Sequence, residues 1–157
     1  TDAMAWHLSD IMSPKSGERQ WYWRMGRTDS LSYFVGVTTP VVKSEIIDLR
    51  LTSGASLTLD YFQDVSNLIA ADDFRIYGIP VNDSGMEGRW FLVKEYNPSH
   101  NTNRFETTSQ HVDLTPLAGT QFRLGFEAFS RTGGAFGGIG WMFGNVKIHV
   151  DQRQYLY

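Results

Sequence analysis

The stretch that decides the fold runs His111-Val112-Asp113-Leu114-Thr115-Pro116-Leu117-Ala118-Gly119-Thr120, then Gln121-Phe122-Arg123-Leu124-Gly125-Phe126-Glu127-Ala128-Phe129-Ser130. After a glycine-rich segment it resumes as Gly140-Trp141-Met142-Phe143-Gly144-Asn145-Val146-Lys147-Ile148-His149. The first part has the chemistry of a turn, because an Asp side chain accepts from backbone amides just downstream and Pro116 suits a turn position. The second alternates. Phe122, Leu124, Phe126, Ala128 and Ser130 fall on one face and Arg123, Gly125, Glu127 and Phe129 on the other, the period of a half-buried strand. The third is dense in aromatic and β-branched residues and reads as a closing strand.

Working outward, alternation continues and helical periodicity is nearly missing. Segments 20–27, 32–37, 41–49, 56–63, 74–79, 90–96, 105–114, 121–130 and 141–150 read as strands separated by turn clusters. Trp6 and Leu8 begin an edge strand, and the only helical turn lies near Leu68-Ile69-Ala70-Ala71. About nine strands with short connections predict an all-β, two-sheet antiparallel β-sandwich, a jelly roll of the galactose-binding-like or concanavalin-like kind. The expected organisation is one sandwich domain over 1–157, with 1–19 a loosely patterned lead-in and 151–157 a tail or linker.

Composition narrows the function classes. The chain has 157 residues, 41% of them hydrophobic, enough for a core and too many for disorder. Its net charge is −3 and its 14 Lys and Arg are scattered singly, so nucleic acid has no basic footprint to bind. No apolar run reaches membrane-spanning length, and no membrane insertion is expected. Cysteine is absent, which removes disulfides, thiolate metal sites and cysteine nucleophiles together and suits a bacterial secreted or surface protein. A start at Thr1 rather than Met reads as a mature or excised piece of something larger, with neighbouring domains.

Three segments, in order, resemble the MAM-like jelly-roll superfamily, which includes choice-of-anchor J domains and cleaved-adhesin domains. Thr39-Pro40-Val41-Val42-Lys43-Ser44-Glu45-Ile46-Ile47-Asp48-Leu49 with Leu57-Thr58-Leu59-Asp60-Tyr61-Phe62 is similar to the opening strands. Val112 to Gly119 with Phe122 to Phe126 resembles the aspartate–leucine turn and its strand, and Gly140 to Val146 resembles the closing glycine–tryptophan strand. The resemblance implies a binding or adhesion module. It departs at Gly144-Asn145, where the family pattern has two aspartates that contribute to a structural calcium site; Asn145 brings a carbonyl oxygen and no charge.

The residues offer few alternatives with chemistry. Trp21 and Trp23 share one strand face, with Tyr22 on the other, and a planar aromatic platform is what a sugar ring stacks on. Core filling is the commoner use of a large aromatic. Gly133-Gly134-Ala135-Phe136-Gly137-Gly138 lacks the following helix and Lys of a phosphate cradle, so it reads as a loop connecting two strands, with Phe136 its one large group. The ligand-binding candidates are therefore Trp21, Tyr22, Trp23 and Phe136. Asp64, Asp72 and Asp73, near Asp60, are the candidate calcium ligands, against the ordinary reading of a solvated acidic loop. Glu95, Glu106 and Glu127 lie on predicted strands without a spacing that marks a catalytic pair. His7, His100, His111 and His149 are far apart, and no nucleophile elbow occurs.

These readings converge on a non-catalytic binding or adhesion module of an extracellular or cell-surface protein, with a glycan or other cell-surface ligand as partner and carbohydrate favoured. The alternatives are a structural or assembly domain of a larger surface, virion or protease complex, and a jelly-roll glycan-active enzyme. The expected cofactor is none, or a structural calcium ion.

Overall fold

The computed structural model describes residues 6–9, 22–25, 33–35, 41–64, 72–96, 108–130, 134–136 and 140–152, and the side chains of 41–61, 74–96, 111–127 and 142–151. Twelve strands occur in them: β1 Trp6–Ser9, β2 Tyr22–Met25, β3 Tyr33–Val35, β4 Val41–Lys43, β5 Ile47–Asp48, β6 Thr52–Asp64, β7 Asp72–Pro80, β8 Phe91–Tyr96, β9 Thr108–Asp113, β10 Gln121–Ser130, β11 Gly134–Phe136 and β12 Gly140–Gln152. One five-stranded sheet has the order β1-β2-β12-β6-β9; the other has β4-β10-β7-β8, with β5 also on β10. Every ladder is antiparallel. The chain crosses repeatedly between the sheets, from β6 to β7, from β8 to β9 and from β9 to β10, as a jelly-roll sandwich requires.

The period-two pattern sets the core. On β6, Leu57, Leu59 and Tyr61 are buried while Ser56 and Thr58 are partly exposed; on β10, Phe122, Leu124 and Phe126 are buried. Their inner faces meet those of β7 and β12 in an aromatic layer. Phe126 stacks on Phe143 with ring centroids 4.2 Å apart, Phe74 lies 5.6 Å from Phe143, and Tyr61 stacks on Tyr96 at 4.5 Å. Such pairs add roughly 0.5–1.5 kcal/mol each beyond area burial. They join β10, β7 and β8 of one sheet to β12 and β6 of the other.

The Asp113 turn is built as its residues suggest. The Asp113 carboxylate accepts from the Thr115 amide at 2.9 Å, and a 3-10 turn over Thr115–Leu117 follows with Pro116 inside it. The backbone hydrogen bond from Thr115, then its hydroxyl, holds the Asp113 carboxyl below its ordinary value against some desolvation, with His111 adding charge. Leu117 plugs the core at 1% exposure, and Gly119, at φ +83°, returns its amide to the Leu49 carbonyl at 2.8 Å. At the neighbouring corner Arg50 binds Asp48 through Nε at 2.9 Å and Nη2 at 2.7 Å, which with the Arg50 amide lowers that carboxyl to about 2.

Three local expectations differ. The predicted strand 41–49 is split into β4 and β5 because Ser44 leaves the regular ladder: its amide donates to the Leu124 carbonyl while its hydroxyl, in place of a backbone carbonyl, accepts from the Leu124 amide. The glycine segment is not wholly a connection, since Gly134–Phe136 forms β11 against β3, a pairing that uses only backbone groups. The closing strand extends to Gln152, two residues into the expected tail, because Asp151 and Gln152 still pair with Gly54 and Thr52. The helical turn expected at 68–71 lies outside the described residues. Trp6 and Leu8 do lie on an edge strand, β1.

Candidate functional site

The side chains that point away from the core on β10 and its neighbours build an organised outer face. Register places Glu127 between Val41 and Arg75, with Glu95 beyond Arg75; Gly125 lies between Lys43 and Tyr77, and Arg123 opposite Ile79. Gly125 leaves its neighbours packed closely over the strand. A Cβ there would stand 3.1 Å from Cδ1 of Ile79 and 3.5 Å from Cγ1 of Val41, which fill the space a side chain would take. Ile79 is thereby fully buried on the outer side of the sheet.

Beside Tyr77 on this face sits Trp90, half-buried, its ring centroid 5.7 Å from that of Tyr77. Lys43 places its Nζ 4.9 Å from the Trp90 ring centroid and donates to both Glu87 oxygens, at 3.0 and 3.1 Å. Those hydrogen bonds, with the Lys43 charge and a hydrogen bond from Trp90, hold the Glu87 carboxyl below its ordinary value, partly opposed by desolvation. Tyr77 donates to Glu127 at 3.0 Å, and burial pushes its phenol up, so it remains a donor. Arg75 stands 3.6 Å from Glu95 and 3.9 Å from Glu127, on side chains between 11 and 33% exposed. The result is two aromatic rings beside a row of carboxylates and guanidinium, the mixture of flat apolar surface and directional polar groups that polyols need.

Glu95 and Glu127, which sequence spacing does not pair, are thus brought onto one row. Two catalytic carboxyls would need a water or sugar between them. Arg75 occupies that position instead. Among the described residues no three His, Cys, Asp or Glu side chains converge as a metal site. At the departure from the family pattern, Asn145 takes φ +50° at a bulge in β12 and donates its side-chain amide to Asp60 at 3.3 Å. Calcium takes about six to eight oxygens, and that pair supplies a small part of such a set.

The residues singled out from sequence lie elsewhere. Trp21 is outside the described residues. Tyr22 and Trp23 lie on β2, Tyr22 opposite Ser9, and Trp23 between Leu8 and Phe143 in register. Phe136 lies on β11 opposite Tyr33, in a different sheet. Asp64 ends β6 opposite Gly140, whereas Asp72 and Asp73 begin β7 opposite Ser130 and Phe129. The three carboxylates therefore belong to two sheets, at strand ends joined by one connection; their side chains, like those of Tyr22, Trp23 and Phe136, are outside the described set. Missed from sequence were Lys43, Arg75, Tyr77 and Glu87. The alternation Phe74-Arg75-Ile76-Tyr77 does place Arg75 and Tyr77 opposite the core face, but only register brings them beside Glu127 and Trp90.

No protein-family model matches the sequence, and no curated relative is found. Among solved structures, the chain is similar to the K1 cleaved adhesin domain of Lys-gingipain from Porphyromonas gingivalis W83, with a TM-score of 0.52 and 19% identity. The fold is cleaved-adhesin-like. The alignment covers 96% of this chain and 86% of that one, so the cleaved-adhesin likeness extends over both sheets and not one motif. In this cleaved-adhesin-like frame, no helix among the described residues is long and apolar enough to cross a membrane.

Proposed function

We propose that this chain is a non-catalytic adhesion or binding module of a surface or secreted protein, and that its ligand is carbohydrate taken on the outer face of the β4-β10-β7-β8 sheet. The observation that carries the reading is Trp90 beside Tyr77, ringed by Lys43, Glu87, Arg75 and Glu127 on a cleaved-adhesin-like frame. A sugar ring stacks its CH face on an indole while its hydroxyls take carboxylate acceptors and guanidinium donors. Lys43 is the removable part. Its exposed ion pair and its ring contact are each worth about 0.5–1 kcal/mol, less than a stacked, hydrogen-bonded sugar recovers.

The test is titration of the folded chain with a panel of neutral and acidic glycans, with and without calcium, followed by tryptophan fluorescence and melting temperature. At least one glycan is expected to shift both. Trp90→Ala is expected to abolish the response, and Lys43→Ala to preserve or strengthen it. A panel that leaves fluorescence and melting unchanged in both conditions sinks the carbohydrate reading. The calcium arm also tests whether Asp64, Asp72 and Asp73 hold an ion, since occupancy would raise the melting temperature by mass action. Binding to neighbouring domains or to a protein surface is the coarser reading that survives a negative glycan panel.

A further inference from the structure

The ring at the centre of the outer face is already covered, and what covers it is a cation. Lys43 Nζ lies 4.9 Å from the Trp90 ring centroid and donates to Glu87 Oε1 at 3.0 Å and Oε2 at 3.1 Å. Glu87 is fixed from two sides. Its backbone bridges to Val81, and its carboxylate takes a hydrogen bond from the Trp90 side chain. An indole has a single donor, its N–H, so the ring that faces the ammonium also holds the carboxylate beside it.

The cation is the loosest of these parts. Lys43 keeps its backbone in the ladder opposite Gly125, but its side chain is 39% exposed and reaches the ring over a flexible four-carbon stem. It can swing into water without moving β4. Arg123 also acts on Glu87 through its charge, yet its guanidinium is engaged with the Ser44 carbonyl at 2.9 Å.

Exchange sets the charge of the ligand. A sugar stacks on this face of Trp90 only when the Lys43 ammonium leaves, and departure strips Glu87 and the ring of their common cation. A neutral sugar gives the carboxylate hydroxyl donors but restores neither the charge nor the cation–π contact. An acidic sugar adds a second negative charge beside Glu87. An ammonium on the ligand restores both contacts, one ammonium replacing another at the same two partners.

We infer that the ligand of this face is an amino sugar with a free amine, whose ammonium takes the place of Lys43 between Trp90 and Glu87. The assignment rests on the carbohydrate reading of this face and narrows it to cationic glycans. The test is titration with a glucosamine tetrasaccharide and its fully N-acetylated counterpart, followed by tryptophan fluorescence. It is run at mildly acidic pH, where the amines are charged and Glu87, held below its ordinary value, is ionised. The parent should bind the free amine at least about fivefold tighter. Lys43→Ala should tighten the free amine about tenfold, because the competing ammonium is gone. Glu87→Gln, made in the parent, keeps the shape and removes the charge; it should cut the preference to less than about twofold. Methylammonium chloride, against equal sodium chloride, should raise the melting temperature of Lys43→Ala more than that of the parent.

A free amine bound no tighter than its N-acetylated form overturns the inference, and so does a preference that survives Glu87→Gln. Loss of glucosamine binding in Lys43→Ala also overturns it, since Lys43 would then be a contact and not the displaced group. If neither oligosaccharide binds but methylammonium stabilises Lys43→Ala, the sugar is overturned and the ammonium site stands. If both oligosaccharides bind equally and methylammonium does nothing, the carbohydrate reading stands and the ammonium site is overturned.

Discussion

Strand β10 sends Phe122, Leu124 and Phe126 to one side and Arg123, Gly125 and Glu127 to the other, and the two sides use different physics. Inside, rings stack on rings, and the layer gains from burial and from ring geometry. Outside, Val41 and Ile79 fill the space over Gly125, Trp90 packs beside Tyr77, and Lys43, Tyr77 and Arg75 each meet a carboxylate across the strands. The inner side supplies most of the stability. The outer side is positioned by it and is made of interactions weak enough for a ligand to exchange.

Substitutions can break that contrast, beginning with the core. Phe126→Ala removes a ring stacked on Phe143 and next to Phe74, and should cost about 3–5 kcal/mol in chemical denaturation. Lys43→Ala on the outer face should cost less than about 1 kcal/mol. Comparable losses would mean that the outer face is a second core and not an exchangeable surface.

The two central glycines sharpen the comparison. Gly78 faces the core, where a Cβ would stand 2.8 Å from Cζ of Phe91 and 2.9 Å from Cδ2 of Leu117. Gly78→Ala should therefore cost about 1–3 kcal/mol, since neither neighbour can withdraw without opening the core. Gly125→Ala has its tightest contact with the terminal methyl of Ile79 at 3.1 Å, and the smaller loss expected of it is checked in the same denaturation series. A larger loss at Gly125 would reverse the assignment of rigid inner and adaptable outer faces.

The smallest effect lies at the border between the faces. Tyr96 stacks on Tyr61, yet its buried hydroxyl has no hydrogen-bond partner among the described residues, and burial pushes its phenol from 10.0 to about 12. Tyr96→Phe keeps the stack and removes the unmatched group, so it should stabilise by about 1 kcal/mol. The sign with pH follows from the raised value. Between pH 10.0 and about 12 the unfolded chain releases this proton and the folded chain keeps it, so stability falls through that window. Denaturation at pH 9 and pH 11 should show a smaller alkaline loss in Tyr96→Phe than in the parent; equal losses would refute the assignment.

Much of the architecture was legible because alternation is a local property. Segment 121–130 is strand β10 with the boundaries its pattern predicts, and Asp113-Leu114-Thr115-Pro116 forms its turn from groups adjacent in the chain. Segment 41–49 was read as one strand because nothing local reveals that Ser44 will bond to Leu124, 80 residues away. β11 was hidden for a related reason: Gly134–Phe136 has little side-chain signal, and its pairing with β3 is decided by the backbone.

The site was less legible than the fold. Tyr22 and Trp23 stood out in the sequence as aromatic neighbours on one strand, β2, and their side chains lie outside the described residues. Lys43, Tyr77, Trp90 and Glu127 come from four separate segments and meet only across ladders. The chain by itself determined the long alternating strands, their inner faces and the Asp113 turn, because period-two burial and turn chemistry act within a few residues. Only the tertiary structure decided which outer residues share a row. That depends on register, which is set by the packing of distant strands against one core.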